Sequence, residues 1–167
     1  MPRRWRHWVA VVSVLLALAG VTVTLGALWR FANQDRPEVV DHPRVVRTAN
    51  AACLLMRQAV HGLSVPVDAG VAKRVAAIRA QNGEILLMVD RVRSLGEDLV
   101  ARDVPLTTWL ADWERLAQAR EAYAARLQAG APRPLTLPED IEGEPITQRM
   151  NAVGLDCTVP PELTGNG

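Results

Sequence analysis

The sequence predicts an all-α protein: an N-terminal transmembrane helix, an antiparallel three-helix bundle, and an irregular C-terminal tail stapled to the bundle by a disulfide. Three observations predict it. Residues 8–29 form one uncharged apolar run. Three later stretches carry apolar residues at alternating spacings of three and four, the period of a helix with one buried face. The only two cysteines, Cys53 and Cys157, both follow the apolar run.

The run from Trp8 to Trp29 reads WVAVVSVLLALAGVTVTLGALW. As a helix it spans about 33 Å, enough for a ~30 Å hydrocarbon core. Ser13, Thr22 and Thr24 can return their hydroxyls to backbone carbonyls, which makes them tolerable in lipid. Trp5, Trp8 and Trp29 bracket the run, where indole rings favour the membrane interface. Arg3, Arg4 and Arg6 lie in the basic segment 1–7, so this side is expected to be cytoplasmic and the remainder extracytoplasmic. The rival reading is a cleaved signal peptide with Ala17-Leu18-Ala19 as its site. The unbroken length to Trp29 favours an uncleaved signal anchor. Residues 30–43, with Pro37 and Pro43 among mixed charges, read as a juxtamembrane linker.

The bundle is expected over residues 44–130. Its first helix runs from about Pro43 to Leu63, with Asp41 near the N-cap and Val46, Ala49, Cys53, Met56, Val60 and Leu63 on one face. The second runs from about Asp68, as N-cap, to Leu95, stopped by Gly96. Val71, Val75, Ile78, Asn82, Ile85, Val89 and Val92 make its stripe. Asn82, followed by Gly83, reads as a solvated kink or partial loop in preference to a buried polar device, because glycine inside a helix costs ~1 kcal/mol. The block Ile85 to Val89 is apolar on several faces, which suits a central helix or a contact with a partner. The third helix runs from about Pro105 to Ala129, capped by Thr107 or Thr108 and ended by Gly130. Leu106, Leu110, Trp113, Leu116, Tyr123 and Leu127 form its stripe, beside Trp109. Arg120 is expected to lay its stem over that stripe with its head in water, and Asp112, Glu114, Arg115, Glu121 and Arg126 to form a solvated face. Short connections, Ser64 to Val67 and Glu97 to Val104, make sequential helices antiparallel neighbours.

The tail, residues 131–167, is Pro-rich and forbids a long helix. A short strand at Leu135–Leu137, a turn at Glu142-Gly143 and a short helix from Thr147 to Val153, stopped by Gly154, are predicted. Leu135, Leu137, Ile141, Ile146, Met150, Val153, Leu155 and Val159 give it enough apolar surface to pack on the bundle. With both cysteines in an oxidising compartment, a Cys53–Cys157 bridge is expected; two free thiols or a bridge to another chain are the alternatives.

Composition narrows the function. Beyond Trp29 lie 16 of the 19 basic residues and all 18 acidic ones, so the exported part is slightly acidic and nucleic acid is not expected as partner. His42 and His61 stand apart from any metal-ligand spacing, so no metal is expected. No Gly-rich phosphate loop or nucleophile elbow occurs, and no cofactor is indicated. A glycosidase-like pair could be drawn from Glu84, Asp90, Asp112 or Glu114, but a salt-bridged helix surface explains these better. The candidate interaction surface comprises Trp109 and Trp113, one turn apart, and Leu86 and Leu87 in the apolar block, although a tryptophan pair at this spacing is more often core or groove lining than an aromatic platform.

The basic start MPRRWRHW, the span to Trp29, NAACLLMRQAV in the first helix and ITQRMNAVGLDC near the end together resemble uncharacterised bacterial proteins with one N-terminal anchor and a small helical outer domain. The resemblance implies no activity and no site residues. The expectation is a non-enzymatic, membrane-tethered extracytoplasmic interaction module, with membrane lipid and an envelope protein as partners. The alternative is a small-ligand-binding or sensing domain with a pocket between bundle and tail.

Overall fold

The computed structural model describes residues 20–22, 24, 25, 39–131 and 133–165. Contacts divide the chain into two units, residues 1–36 and 37–167. In the first unit residues 20–22, 24 and 25 are helical, and the Thr24 hydroxyl donates to the carbonyls of Gly20 and Val21, both at 2.9 Å. This is the hydroxyl-to-backbone bond expected of it. The rest of the predicted span 8–29, the basic segment 1–7 and residues 30–38 of the linker lie outside the described residues. Among the described residues no helix is long and apolar enough to cross a membrane.

The second unit is helical, and among its described residues the sole β feature is an isolated bridge between Glu139 and Pro145. Its elements are α1 (Pro43–Gly62), α2 (Val71–Arg93), α3 (Glu97–Arg102), α4 (Val104–Gln128), α5 (Ile146–Ala152) and α6 (Pro161–Thr164). Pro43 opens α1, where its missing N–H costs nothing. Asp68 does not cap α2; Gly70 holds that position without a side-chain bond. The cap of α4 is Asp103, not Thr107 or Thr108: its carboxylate accepts from the Leu106 N–H at 2.9 Å, with Pro105 in the first turn. The predicted loop from Glu97 to Val104 contains the one-turn helix α3. Gly96, at φ 112°, redirects the chain into α3, and the Thr107 hydroxyl ties α3 to α4 through the Val100 carbonyl at 2.9 Å.

The antiparallel arrangement follows the stripes. Helix α2 packs along both α1 and α4. The gap between α1 and α4 is filled by the tail, with α5 on α4 and α6 on α1. The main core joins Val45, Met56, Ile85, Met88, Trp113 and Leu116 of the bundle to Ile146, Met150 and Leu163 of the tail. Val45, not Val46, is the deeply buried valine at the start of α1. The core also reaches back to Val40, whose N–H bonds the Val153 carbonyl at 3.0 Å, so the packed domain begins inside the predicted linker. A smaller cluster of Val75, Ile78, Tyr123, Ala124 and Leu127 closes the other end of the α2–α4 pair.

Among the described residues no strand forms at the predicted Leu135–Leu137, where Pro134 and Pro138 remove donors at its edges. Ile141 is fully exposed at a turn tip, whereas Ile146, Met150, Val153 and Leu155 are buried as expected. Cys53 and Cys157 form the predicted disulfide, with Cα atoms 5.6 Å apart and a sequence separation of 104. Closing a loop of that length is worth ~4–5 kcal/mol on the chain-entropy model.

The largest departures from expectation are polar. Helix α2 runs unbroken through Asn82-Gly83, and Asn82 is buried. Its amide donates to the Ala117 carbonyl at 3.2 Å and its oxygen accepts from Arg120 Nε at 3.0 Å. Arg120 itself is only 2% exposed. Its head lies in the core, not in water. Besides Asn82 it donates to Gln81 Oε1 and to the carbonyls of Glu162 and Leu163 in α6, the last at 2.7 Å. Gln81 passes the connection on, its amide donating to the Val60 carbonyl and to the Ser64 hydroxyl, both at 3.3 Å. Burial pushes the guanidinium down to about 10, which leaves it charged at neutral pH.

Replacing Arg120 by Ala strands the Gln81 and Asn82 oxygens and two α6 carbonyls, and is expected to lower unfolding free energy by about 3–5 kcal/mol. Arg120→Lys, which lacks the planar fork, should recover little of it. Denaturant titration checks both; a midpoint unchanged in either variant contradicts the assignment. Gly154 sits at φ 84°, where an added Cβ would run into the Val39 side chain. Gly154→Ala should therefore cost about 1–2 kcal/mol in the same assay. A neutral result would show that this turn tolerates a side chain.

Candidate functional site

The structure separates the four residues of the predicted interaction surface. Trp109 and Trp113 are both buried, with ring centroids 6.0 Å apart in an edge-to-face pair at 84°. They are core residues and present no platform to solvent. The cause lies in the tail: α5 packs on α4 over the face they occupy. Leu86 and Leu87 remain outside, 44% and 42% exposed. The structure adds two leucines that the stripe analysis passed over, Leu54 and Leu55, 48% and 51% exposed. The bond from Gln81 to Val60 sets the antiparallel register of α1 and α2. Stepping six residues along each helix from that bond brings Leu54 level with Leu87, at ~1.5 Å per residue, whereas Leu86 shares its face of α2 with Arg79 and Arg93, which pair with Glu121 and Glu114, and so lies on the flank toward α4. The sequence signal was available: Leu54-Leu55 is an apolar pair off the stripe, in the same way as Leu86-Leu87.

The four carboxylates considered for acid–base chemistry do not converge. Glu114 pairs with Arg93 of α2 through two bonds of 2.6 and 2.8 Å, which hold its carboxyl below the usual range. Glu84 and Asp90 lie on α2, where the Asp90 charge also acts on Arg93. Asp112, expected on a solvated face, is buried. It accepts two bonds of 2.9 Å from Arg149 of α5, and Arg115 approaches at 3.5 Å. Arg115 also reaches the Glu139 carbonyl at 2.8 Å, so this pair of arginines ties the tail to α4. His42 is exposed at the start of α1, and His61 at its end meets Glu162 of α6 at 3.1 Å. Among the described residues no group of three or more His, Cys, Asp or Glu is placed to hold a metal ion.

Between the first turns of α4 and the tail lies a cavity of about 630 Å³. Val104, Pro105, Trp109, Met150 and Val153 give it apolar walls, and Thr108, Gln148, Asp112, Asp140, Glu142, Glu144 and Arg149 contribute polar groups. Its rim is a tight loop organised by Asp140. One oxygen of that carboxylate accepts from the N–H groups of Glu142 and Glu144 at 2.9 and 3.0 Å, and the Asp140 N–H returns to the Glu144 carbonyl at 2.8 Å. The predicted Glu142-Gly143 turn is thus present, with Gly143 at φ 85°.

The backbone bonds from Glu144 and Glu142, with Arg149 nearby, hold the Asp140 carboxyl below its ordinary value of 3.8. Since the folded value is the lower one, the loop is fully supported above the ordinary range and loosens as pH falls through the depressed value. An NMR titration should find Asp140 ionising below 3.8 with the Glu142 and Glu144 amide shifts moving in step. Ionisation at or above 3.8 would mean the loop does not hold the carboxylate. Compared with known proteins, the chain matches no family model, no curated protein and no solved structure.

Proposed function

We propose that the chain is a membrane-tethered, non-enzymatic interaction module of the bacterial cell envelope, anchored through residues 8–29 with the helical domain outside. The observation that carries the reading is that four leucines, Leu54 and Leu55 on α1 and Leu86 and Leu87 on α2, remain half exposed. Large apolar side chains left in water gain free energy when a partner covers them. The disulfide supports an extracytoplasmic location, because such bonds persist in oxidising compartments. The uncharged run 8–29 and the arginines before it support the anchor and its orientation. Tethering raises the effective concentration of the half-exposed leucines near other membrane proteins without adding a contact. The resemblance to single-pass bacterial envelope proteins agrees with this reading. The cavity between α4 and the tail favours a second one, ligand binding by the same domain, since its volume and mixed lining suit a small binding site.

Photo-crosslinking amino acids placed at Leu55 and Leu86 in intact cells test the interaction reading. A discrete adduct is expected from both positions, and none from exposed Arg47 on α1 or Gln118 on α4. Adducts of equal yield from all four positions, or from none, would contradict it.

A further inference from the structure

We propose that the cavity between α4 and the tail receives a Lys or Arg side chain carried on a short peptide segment with apolar neighbours. This rests on the second reading above, that the cavity binds a ligand, and names the chemistry of that ligand. Four carboxylates line the space against a single cation, Arg149. That cation is already committed to Asp112 through two 2.9 Å bonds, so an anionic ligand finds no free positive group. Asp112 and Asp140 are likewise occupied, by Arg149 and by the loop N–H groups. Glu142 and Glu144 are different. Both are exposed, and their carboxylates make no hydrogen bond or ion pair with any described residue.

The loop therefore presents two carboxylates without a direct partner, Glu142 feeling Arg149 only at a distance, on a backbone held by Asp140. Below them, Val104, Pro105 and Met150 give the cavity an apolar wall suited to methylenes and to the neighbours of a basic residue. Charge selects the cation, and the apolar wall selects its stem and the apolar neighbours that distinguish a peptide from a free amine.

The test is calorimetric titration of the full chain, oxidised and in mild detergent, with acetyl-Leu-Lys-Leu-amide. The Lys peptide is expected to bind at least about tenfold tighter than its norleucine analogue and than butylammonium, weakening as salt rises. The double variant Glu142→Gln/Glu144→Gln should lose about tenfold for the Lys peptide with an unchanged thermal midpoint, because neither side chain supports the fold. Equal affinity for the norleucine peptide would leave the cavity a binding site but overturn its preference for a cation. Butylammonium binding as tightly as the Lys peptide would overturn the peptide assignment. No binding of any of the three probes would overturn the ligand-binding reading itself.

Discussion

A buried arginine without a carboxylate partner organises this domain. Taking the Arg120 charge out of water costs several kcal/mol, and no ion pair among the described residues offsets it. It is held instead by four neutral oxygens, from Gln81, Asn82, Glu162 and Leu163. Hydrogen bonds from a charged donor are worth roughly twice neutral ones, so the site balances only if all four are made together. That requirement couples α2, α4 and the end of the tail. Through Gln81 it extends to the last turn of α1. The short helix α6 is too small to be stable on its own, and its carbonyls are fixed by this guanidinium.

The tail is consequently a structural element of the bundle. Three amphipathic helices in which α2 takes most of the contact leave a gap between α1 and α4. Ile146, Met150 and Leu163 fill it. Polar ties hold the tail in register: Asp112 with Arg149, the Glu139 carbonyl with Arg115, and the Asp156 N–H with the Asn50 side chain at 3.0 Å. The disulfide closes the long loop between α1 and the tail and reduces the entropy that docking must overcome. The same docking buries Trp109 and Trp113 and creates the cavity beside Trp109. The half-exposed leucines of α1 and α2 lie on helices whose buried faces are locked by this core, which presents them on a rigid support.

Much of this was legible in the sequence, and the limits are physical. Helix positions follow from a three-four apolar period, which reports one buried face whatever lies against it. The disulfide was legible because only one pair exists. The partners of buried charges were not: Arg120 and Asp112 look like solvated helix residues unless one knows that carbonyls and Arg149 arrive from a tail 43 and 37 residues later. Asn82 followed the same logic, since an Asn-Gly pair reads as a break until its amide and oxygen are both shown to be used. The stripe already held Trp113 with Trp109 beside it, so the core role of the pair was legible, but a helix wheel cannot count how many neighbours cover a face, which left an exposed platform open. Asp103 as cap was within reach, through an Asp two residues before a first-turn Pro, but the hydroxyls of Thr107 and Thr108 offered a competing signal.

The most direct test of this account is native-state hydrogen exchange on the oxidised protein, comparing wild type with Arg120→Met. The account predicts that exchange accelerates together at the α1 turn before Ser64, around Gln81 and Asn82 in α2, around Ala117 in α4, and across residues 155–165. Acceleration confined to residues 155–165, with α1, α2 and α4 as protected as before, would show that Arg120 merely pins the tail, and that the buried network does not hold the bundle together.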